Sequence, residues 1–203
     1  LDRWERKLSR AGFSHLAGLD EAGRGPLAGP VVAAAVILKR PLPLEIGIKD
    51  SKKLSPKKRD KLVYPIFSSS LSIAIGICWH DEVDKINIHR ASLLAMERAA
   101  GRLNVSPDFL LIDGKFKIDS PVQQSALIGG DGLSISIAAA SIIAKTARDR
   151  IMLSYERLYP GYGFSSHKGY GTKAHMEAIE ELGPCPVHRR TFRPLSFGKK
   201  KVF

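Results

Sequence analysis

Two neighbouring carboxylates, Asp20 and Glu21, close an apolar run and are followed at once by Gly23, Arg24 and Gly25. Apolar residues resume from Val31 to Leu38. This pattern predicts a strand, a polar glycine loop and a second strand. Acidic side chains at the end of a buried strand are costly unless a cation meets them. Glycines on either side of a guanidinium let backbone and ligand approach closely. Carboxylates suited to a metal, beside an arginine and free backbone suited to phosphate, point to phosphodiester chemistry. The competing reading is a surface turn closed by an Asp–Arg pair. Asp113 and Asp131 argue against it, since each also follows an apolar run that reads as a strand. In an open sheet with parallel strands, one edge gathers side chains from distant parts of the chain. Carboxylates gathered there repel one another and favour a hard divalent ion such as Mg²⁺ or Mn²⁺ over zinc. A pair of such ions about 4 Å apart activates water and stabilises a leaving oxygen.

Glu21 raises a difficulty. Neighbours in a regular strand point to opposite faces, so Asp20 and Glu21 share a site only if the strand ends or bulges at Glu21, or if Glu21 arrives by another route. Asp149, four residues after Lys145 on a predicted helix, reads better as a surface ion pair with it. Asp50, Asp60 and Asp119 read as solvated charges.

Positioning these groups falls to an alternation of strands and helices. The spacing of Leu1, Trp4, Leu8 and Ala11 predicts a short amphipathic helix within residues 1–14. Strands are expected over 16–21, 31–38 and 71–79, close enough in sequence to form an antiparallel meander. Ser55-Pro56 reads as a helix start, with the helix reaching about Phe67 inside the second connection. A helix from about Asn87 to Leu103 follows, then short apolar strands at 109–112 and 125–128. Ser136 to Leu158 reads as a long helix whose alanines at 138, 139, 140, 144 and 147 let it lie close to the sheet. A last helix runs over 172–182, capped by Thr172 and stopped by Gly183-Pro184. The tail from Pro186 is basic and loop-like. Apolar strands separated by helices describe the doubly covered part of an α/β sheet.

With 203 residues the chain can bury a substantial core. Its net charge of +12 favours anionic partners, nucleic acid foremost, and implies binding that weakens steeply with salt. The two cysteines, Cys78 and Cys185, have no zinc or disulfide spacing, and a cytoplasmic location is expected. No apolar run reaches membrane-spanning length, and the first residues do not read as a signal peptide.

Several segments resemble bacterial ribonuclease HII: D-E-A-G-R-G-P-L-A-G-P at 20–30, D-S-K-K-L-S at 50–55, L-I-D-G at 111–114, S-I-A-A-A-S-I-I-A-K at 136–145, Y-P-G-Y-G-F-S-S-H-K-G-Y-G-T at 159–172 and H-R-R-T-F at 188–192. They occur in order over nearly the whole chain. The resemblance implies a ribonuclease H-like mixed five-stranded sheet flanked by helices, with a small helical C-terminal part. It divides the chain into a catalytic core at 1–158 and a basic, nucleic-acid-contacting segment at 159–203. It also implies hydrolysis of the RNA strand of RNA–DNA hybrids and cleavage 5′ to single ribonucleotides in duplex DNA, leaving 3′-hydroxyl and 5′-phosphate ends. Asp20, Glu21, Asp113 and Asp131 become the ligands of two Mg²⁺ or Mn²⁺ ions. Gly23, Arg24 and Gly25 become the sensor of the 2′-hydroxyl, and Tyr170 the ring on the neighbouring deoxyribose. Lys52, Lys53, Ser141, Lys145, His167, Lys168 and Arg189 are expected near phosphates, His188 and Arg190 with them. A monomer without a membrane partner is expected, and the paired-aromatic clamp-binding tail of archaeal relatives has no match in Ser196–Phe203. A nucleic-acid-binding protein without catalysis would leave strand-end aspartates beside phosphate unexplained. Another nuclease on the same fold would not need Arg24 between glycines together with Tyr170.

Overall fold

A computed structural model describes residues 1–40, 48 and 55–193. Lys52 and Lys53, with Asp50, lie outside the described residues. The chain runs α1 (Arg3–Arg10), β1 (Leu16–Ala22), β2 (Val31–Leu38), α2 (Pro56–Ser68), β3 (Ser70–Cys78), α3 (His80–Ala100), β4 (Phe109–Asp113), β5 (Gln124–Leu127), α4 (Ile135–Leu158), α5 (Phe164–His167) and α6 (Lys173–Leu182). A 3₁₀ turn, Gly130–Gly132, precedes α4. The five strands form one sheet in the order β3-β2-β1-β4-β5. The pairs β1–β2 and β2–β3 are antiparallel, while β1–β4 and β4–β5 are parallel. The meander and the parallel half are both as the sequence predicts.

Alternation along each strand sorts side chains onto the two sheet faces. Ala17 and Leu19 of β1 join Ala33 and Ala35 of β2 against Ala91, Ala95 and Ala99 of α3. Ala34 and Val36 face the other way, onto Ala138 to Ala144 of α4 and Ile66 of α2. Gly18 faces α4 as well, and a Cβ there would lie 2.1 Å from the backbone carbon of Ser136. The start of α4 thus rests directly on β1. It is capped by Ser134 and by Glu5 of α1, whose buried carboxylate accepts from the Ser134 hydroxyl at 2.5 Å and from Ser136 N at 3.0 Å. Sequence reading missed Glu5 because it set α1 down only as an apolar stripe. Leu1 is exposed and Ala11 lies beyond the helix, so Trp4 and Leu8 alone carry that stripe.

Two boundaries differ from expectation. The helix expected from Asn87 begins earlier, at His80. Asn87 is the bend within it, with φ 67, and its side-chain oxygen accepts from His89 N and Arg90 N. Asn87 thus caps the second half of a kinked helix, and the expected start at Asn87 marks that half alone. β5 stops at Leu127, leaving Ile128 exposed.

Replacing Gly18 by Ala tests the contact between α4 and β1. The added methyl has no room against the Ser136 backbone, so unfolding in denaturant should show a loss of about 2–3 kcal/mol.

Candidate active site

The register of the sheet brings the first carboxylates together. Leu19 pairs with Ile112 in the parallel β1–β4 ladder, which sets Asp20 beside Asp113 at the next step. Asp20 shares the α4 face with Gly18, as Asp113 does with Leu111, which clusters with Ile137 of α4. Glu21 reaches the same cleft without a bulge: β1 stays in register with β2 through Glu21↔Ala33 and Ala22↔Val32. β4 has ended at Asp113, so no strand on that side walls Glu21 off from the cleft. The three carboxylates line one cleft of about 380 Å³ with Ser141 and Lys145 of α4, and Arg59 of α2.

Electrostatics record the crowding. Burial first, then the charges of Glu21 and Asp113, push the Asp20 pKa well above the usual carboxylate range. The Ser141 hydroxyl opposes this, as does Glu21 N–H, which donates to Asp20 Oδ1 at 2.7 Å. Burial also raises the Glu21 pKa, against the pull of Arg24, whose Nη1 lies 3.1 Å from Glu21 Oε1. Asp113 Oδ1 accepts from Gly130 N at 2.6 Å. That contact ties β4 to the 3₁₀ turn carrying Asp131, which is buried and does not line the cleft. Among the described residues no three His, Cys, Asp or Glu side chains stand ready as a metal cage. The donor chemistry nevertheless fits a hard divalent cation: all the donors are oxygens, and their like charge is what such an ion relieves.

The other wall of the cleft carries Gly23, Arg24 and Gly25 with Tyr170. Tyr170 is 46% exposed, and a Cβ on Gly25 would lie 3.5 Å from its Cε1. Lys145 Nζ stands 6.0 Å from the Tyr170 ring centre. Lys145 also pairs with Asp149 at 2.7 Å, as the i,i+4 spacing predicts, and Arg59 joins the same carboxylate at 2.9 Å.

The loop between β1 and β2 has few ladder partners, and its carbonyls are held by two arginines. Arg189 donates through Nε to Gly29 O at 2.9 Å, through Nη1 to Arg24 O at 3.0 Å and Pro26 O at 2.9 Å, and through Nη2 to Gly23 O at 2.6 Å. Arg148 donates to Pro30 O, Lys168 O and Ala28 O, each at 3.0 Å.

The ribonuclease HII family model matches residues 17–199. The chain belongs to the ribonuclease HII family. A curated relative, Ribonuclease HII of Geobacter metallireducens, is 54% identical over 190 residues, covering 94% of this chain and 89% of its own. The solved ribonuclease H2 of Pyrococcus horikoshii is similar with a TM-score of 0.77 at 25% identity, over 91% of this chain and 96% of that one. Bst-RNase HIII in complex with Mn²⁺ shares the fold, with a TM-score of 0.68 at 20% identity, over 92% of this chain and 71% of that one. The protein is thus a type 2 ribonuclease H, an endonuclease on a ribonuclease H-like fold.

Within this ribonuclease HII the expected phosphate contacts divide. Ser141 and Lys145 line the cleft. Arg189 does not fit the role assigned to it: it is fully buried and its guanidinium is occupied by carbonyls, so it shapes the glycine loop from behind. Its pKa falls to about 9 and that of Arg148 to about 10, both chiefly through burial, so both stay cationic at neutral pH. Lys168 is half-buried, turns its ammonium to Ser165 O and does not line the cleft. His188 is buried too. Arg59, Arg148 and His175 were missed. The signal for Arg148 was present, since it interrupts the buried stripe Ala140, Ala144, Met152 at helical spacing.

His188 belongs to a relay behind Tyr170. His175 Nδ1 donates to Tyr170 O at 2.9 Å, and its Nε2 faces His188 Nε2 at 3.0 Å. Cys185 N donates to His188 Nδ1 at 3.0 Å. These partners are satisfied together when both rings are neutral. Burial, then the neighbouring His175, lowers the His188 pKa to about 4, and burial lowers that of His175. A depressed histidine pKa makes the unfolded chain the better proton acceptor. Stability should hold above pH 6.5 and fall as the pH drops toward 4, by on the order of 3 kcal/mol for His188. Thermal melts between pH 7 and 4 check this, and His188→Gln should flatten the slope while lowering the plateau.

Proposed function

We propose that this ribonuclease HII hydrolyses the RNA strand of RNA–DNA hybrids and cuts 5′ to single ribonucleotides embedded in duplex DNA, leaving 3′-hydroxyl and 5′-phosphate ends. The observation that carries this reading is one cleft lined on one side by Asp20, Glu21 and Asp113 and on the other by Gly23, Arg24, Gly25 and Tyr170. Chemistry and sugar recognition would then meet across a single phosphodiester. Asp20, Glu21 and Asp113, with Asp131 on the turn that Gly130 N ties to Asp113, would hold two Mg²⁺ or Mn²⁺ ions, and the Mn²⁺ in the Bst-RNase HIII complex supports that choice. Bound there, the ions would supply Lewis acidity to the attacking water and to the departing 3′-oxygen.

The chain's own residues supply the rest. Asp20 and Glu21 stand with Asp113 in a cleft crowded with acidic groups, so a phosphate enters only with counter-charge in place. Lys145, and Arg59 beside it, supply fixed positive charge at the α4 side. The exposed guanidinium of Arg24 can exchange Glu21 for a phosphate oxygen. Backbone at Gly23 and Gly25 can meet a 2′-hydroxyl, the group that distinguishes RNA from DNA. Tyr170 offers a flat face to a sugar lacking that oxygen. Lys52 and Lys53 would add phosphate contacts from the segment before α2. The net charge of +12 supports a polyanionic partner.

Cleavage of matched duplexes carrying one ribonucleotide, an RNA strand or DNA alone tests the reading, in Mg²⁺ and in chelator. Cutting of the first two only, and only with metal, is expected; cutting of plain DNA overturns it. Asp113→Asn should abolish cleavage at saturating Mg²⁺ and shrink the rise in melting temperature that Mg²⁺ produces. Tyr170→Ala should lose about 10-fold in kcat/KM on the single-ribonucleotide duplex, the size of an aromatic contact of about 1–3 kcal/mol, and much less on the continuous hybrid.

A further inference from the structure

Arg148 touches two segments that the proposed reading assigns to neighbouring sugars. Nε and Nη2 bind Pro30 O and Ala28 O, at the end of the glycine loop. Nη1 binds Lys168 O, at the start of the turn that carries Tyr170. Gly23 has φ +99, and a Cβ on it would lie 2.1 Å from Arg148 Nε. The guanidinium therefore lies against the backbone of the first sensing glycine while holding the tyrosine turn from its other edge. The two segments also meet through Leu27 N, which donates to Gly169 O at 2.8 Å. A guanidinium is planar and its donors are fixed in one fork, so acceptors that share it keep a fixed separation.

We propose that Arg148 is a positioning residue that sets the register between Gly23–Gly25 and Tyr170, and through it the preference for a ribonucleotide followed by a deoxyribonucleotide. The proposal rests on the reading that these two elements contact adjacent sugars. It makes selectivity depend on a side chain that no substrate touches. It also gives Gly23 a second task, since the space its missing Cβ leaves is the seat of the guanidinium.

The test uses the full chain in Mg²⁺ with Arg148→Lys. Lysine keeps the charge and most of the stem, but its ammonium cannot hold three acceptors in one plane. The ratio of kcat/KM on the single-ribonucleotide duplex to that on the hybrid should fall by about fivefold or more. Tyr170→Ala, expected to cost about 10-fold in the native background, should cost less than about threefold beside Arg148→Lys, because the ring is already misplaced. A purely structural arginine would lower both substrates alike and leave the Tyr170 penalty whole, and either result overturns the proposal. Should Arg148→Lys fail to fold, Arg148→Gln, which keeps two N–H donors but not the fork, is read by the same two measurements. A native enzyme for which Tyr170→Ala costs nothing on either duplex would instead overturn the underlying reading of adjacent sugars, and this proposal with it.

Discussion

Main-chain carbonyls held by buried guanidinium groups are the constraint on which the site depends. The β1–β2 connection contains Gly23, Gly25, Gly29, Pro26 and Pro30, a composition that resists regular structure and supplies few N–H donors. Its carbonyls still need partners once water is excluded. Arginine carries five donors on one rigid group, more than any other side chain. Two of them suffice here: Arg189 takes the carbonyls of Gly23, Arg24, Pro26 and Gly29, while Arg148 takes those of Ala28 and Pro30.

This arrangement frees the opposite side of the loop for function. Arg24 is more than half exposed while its carbonyl is tied down, so its side chain can change partners without the backbone following. Glu21 is its present partner, and Asp113 lies close enough to influence Glu21. The carboxylate wall is therefore joined to the glycine loop by the Glu21–Arg24 ion pair, while Arg148 ties that loop to the Tyr170 turn underneath.

Much of this was legible in the sequence because it rests on local chemistry. Strand-end carboxylates at 20, 21 and 113 follow apolar runs, and strand periodicity predicts where those runs lie. Capping explains Ser55, Ser134 and Thr172, two of which were read in advance. What could not be read was the partner of each cation. Sequence alone does not distinguish an arginine that meets phosphate from one that meets carbonyls 160 or more positions away, and Arg189 was assigned to the wrong one. His188 was misassigned for the same reason, its neighbours suggesting a basic patch where the fold builds a neutral relay. Glu21 appeared to face away from Asp20, and only the early end of β4 resolves that.

The order of these residues along the chain has a consequence for biosynthesis. Asp20, Glu21, Asp113 and Asp131 have all emerged before α4 begins, whereas Arg148, Tyr170 and Arg189 follow in that order. A nascent chain that stops short of α4 has its acids but lacks Ser141 and Lys145, and the glycine loop remains hydrated and unshaped. When α4 docks on Gly18 it brings Lys145 to the acids and Arg148 to the loop in one step, being a single rigid rod. The positive charge of the cleft and the first clamp on the loop therefore arrive together, and Arg189, which emerges later, holds the loop from behind. The sequence order of the fold thus delays a shaped cleft until both buried arginines are present.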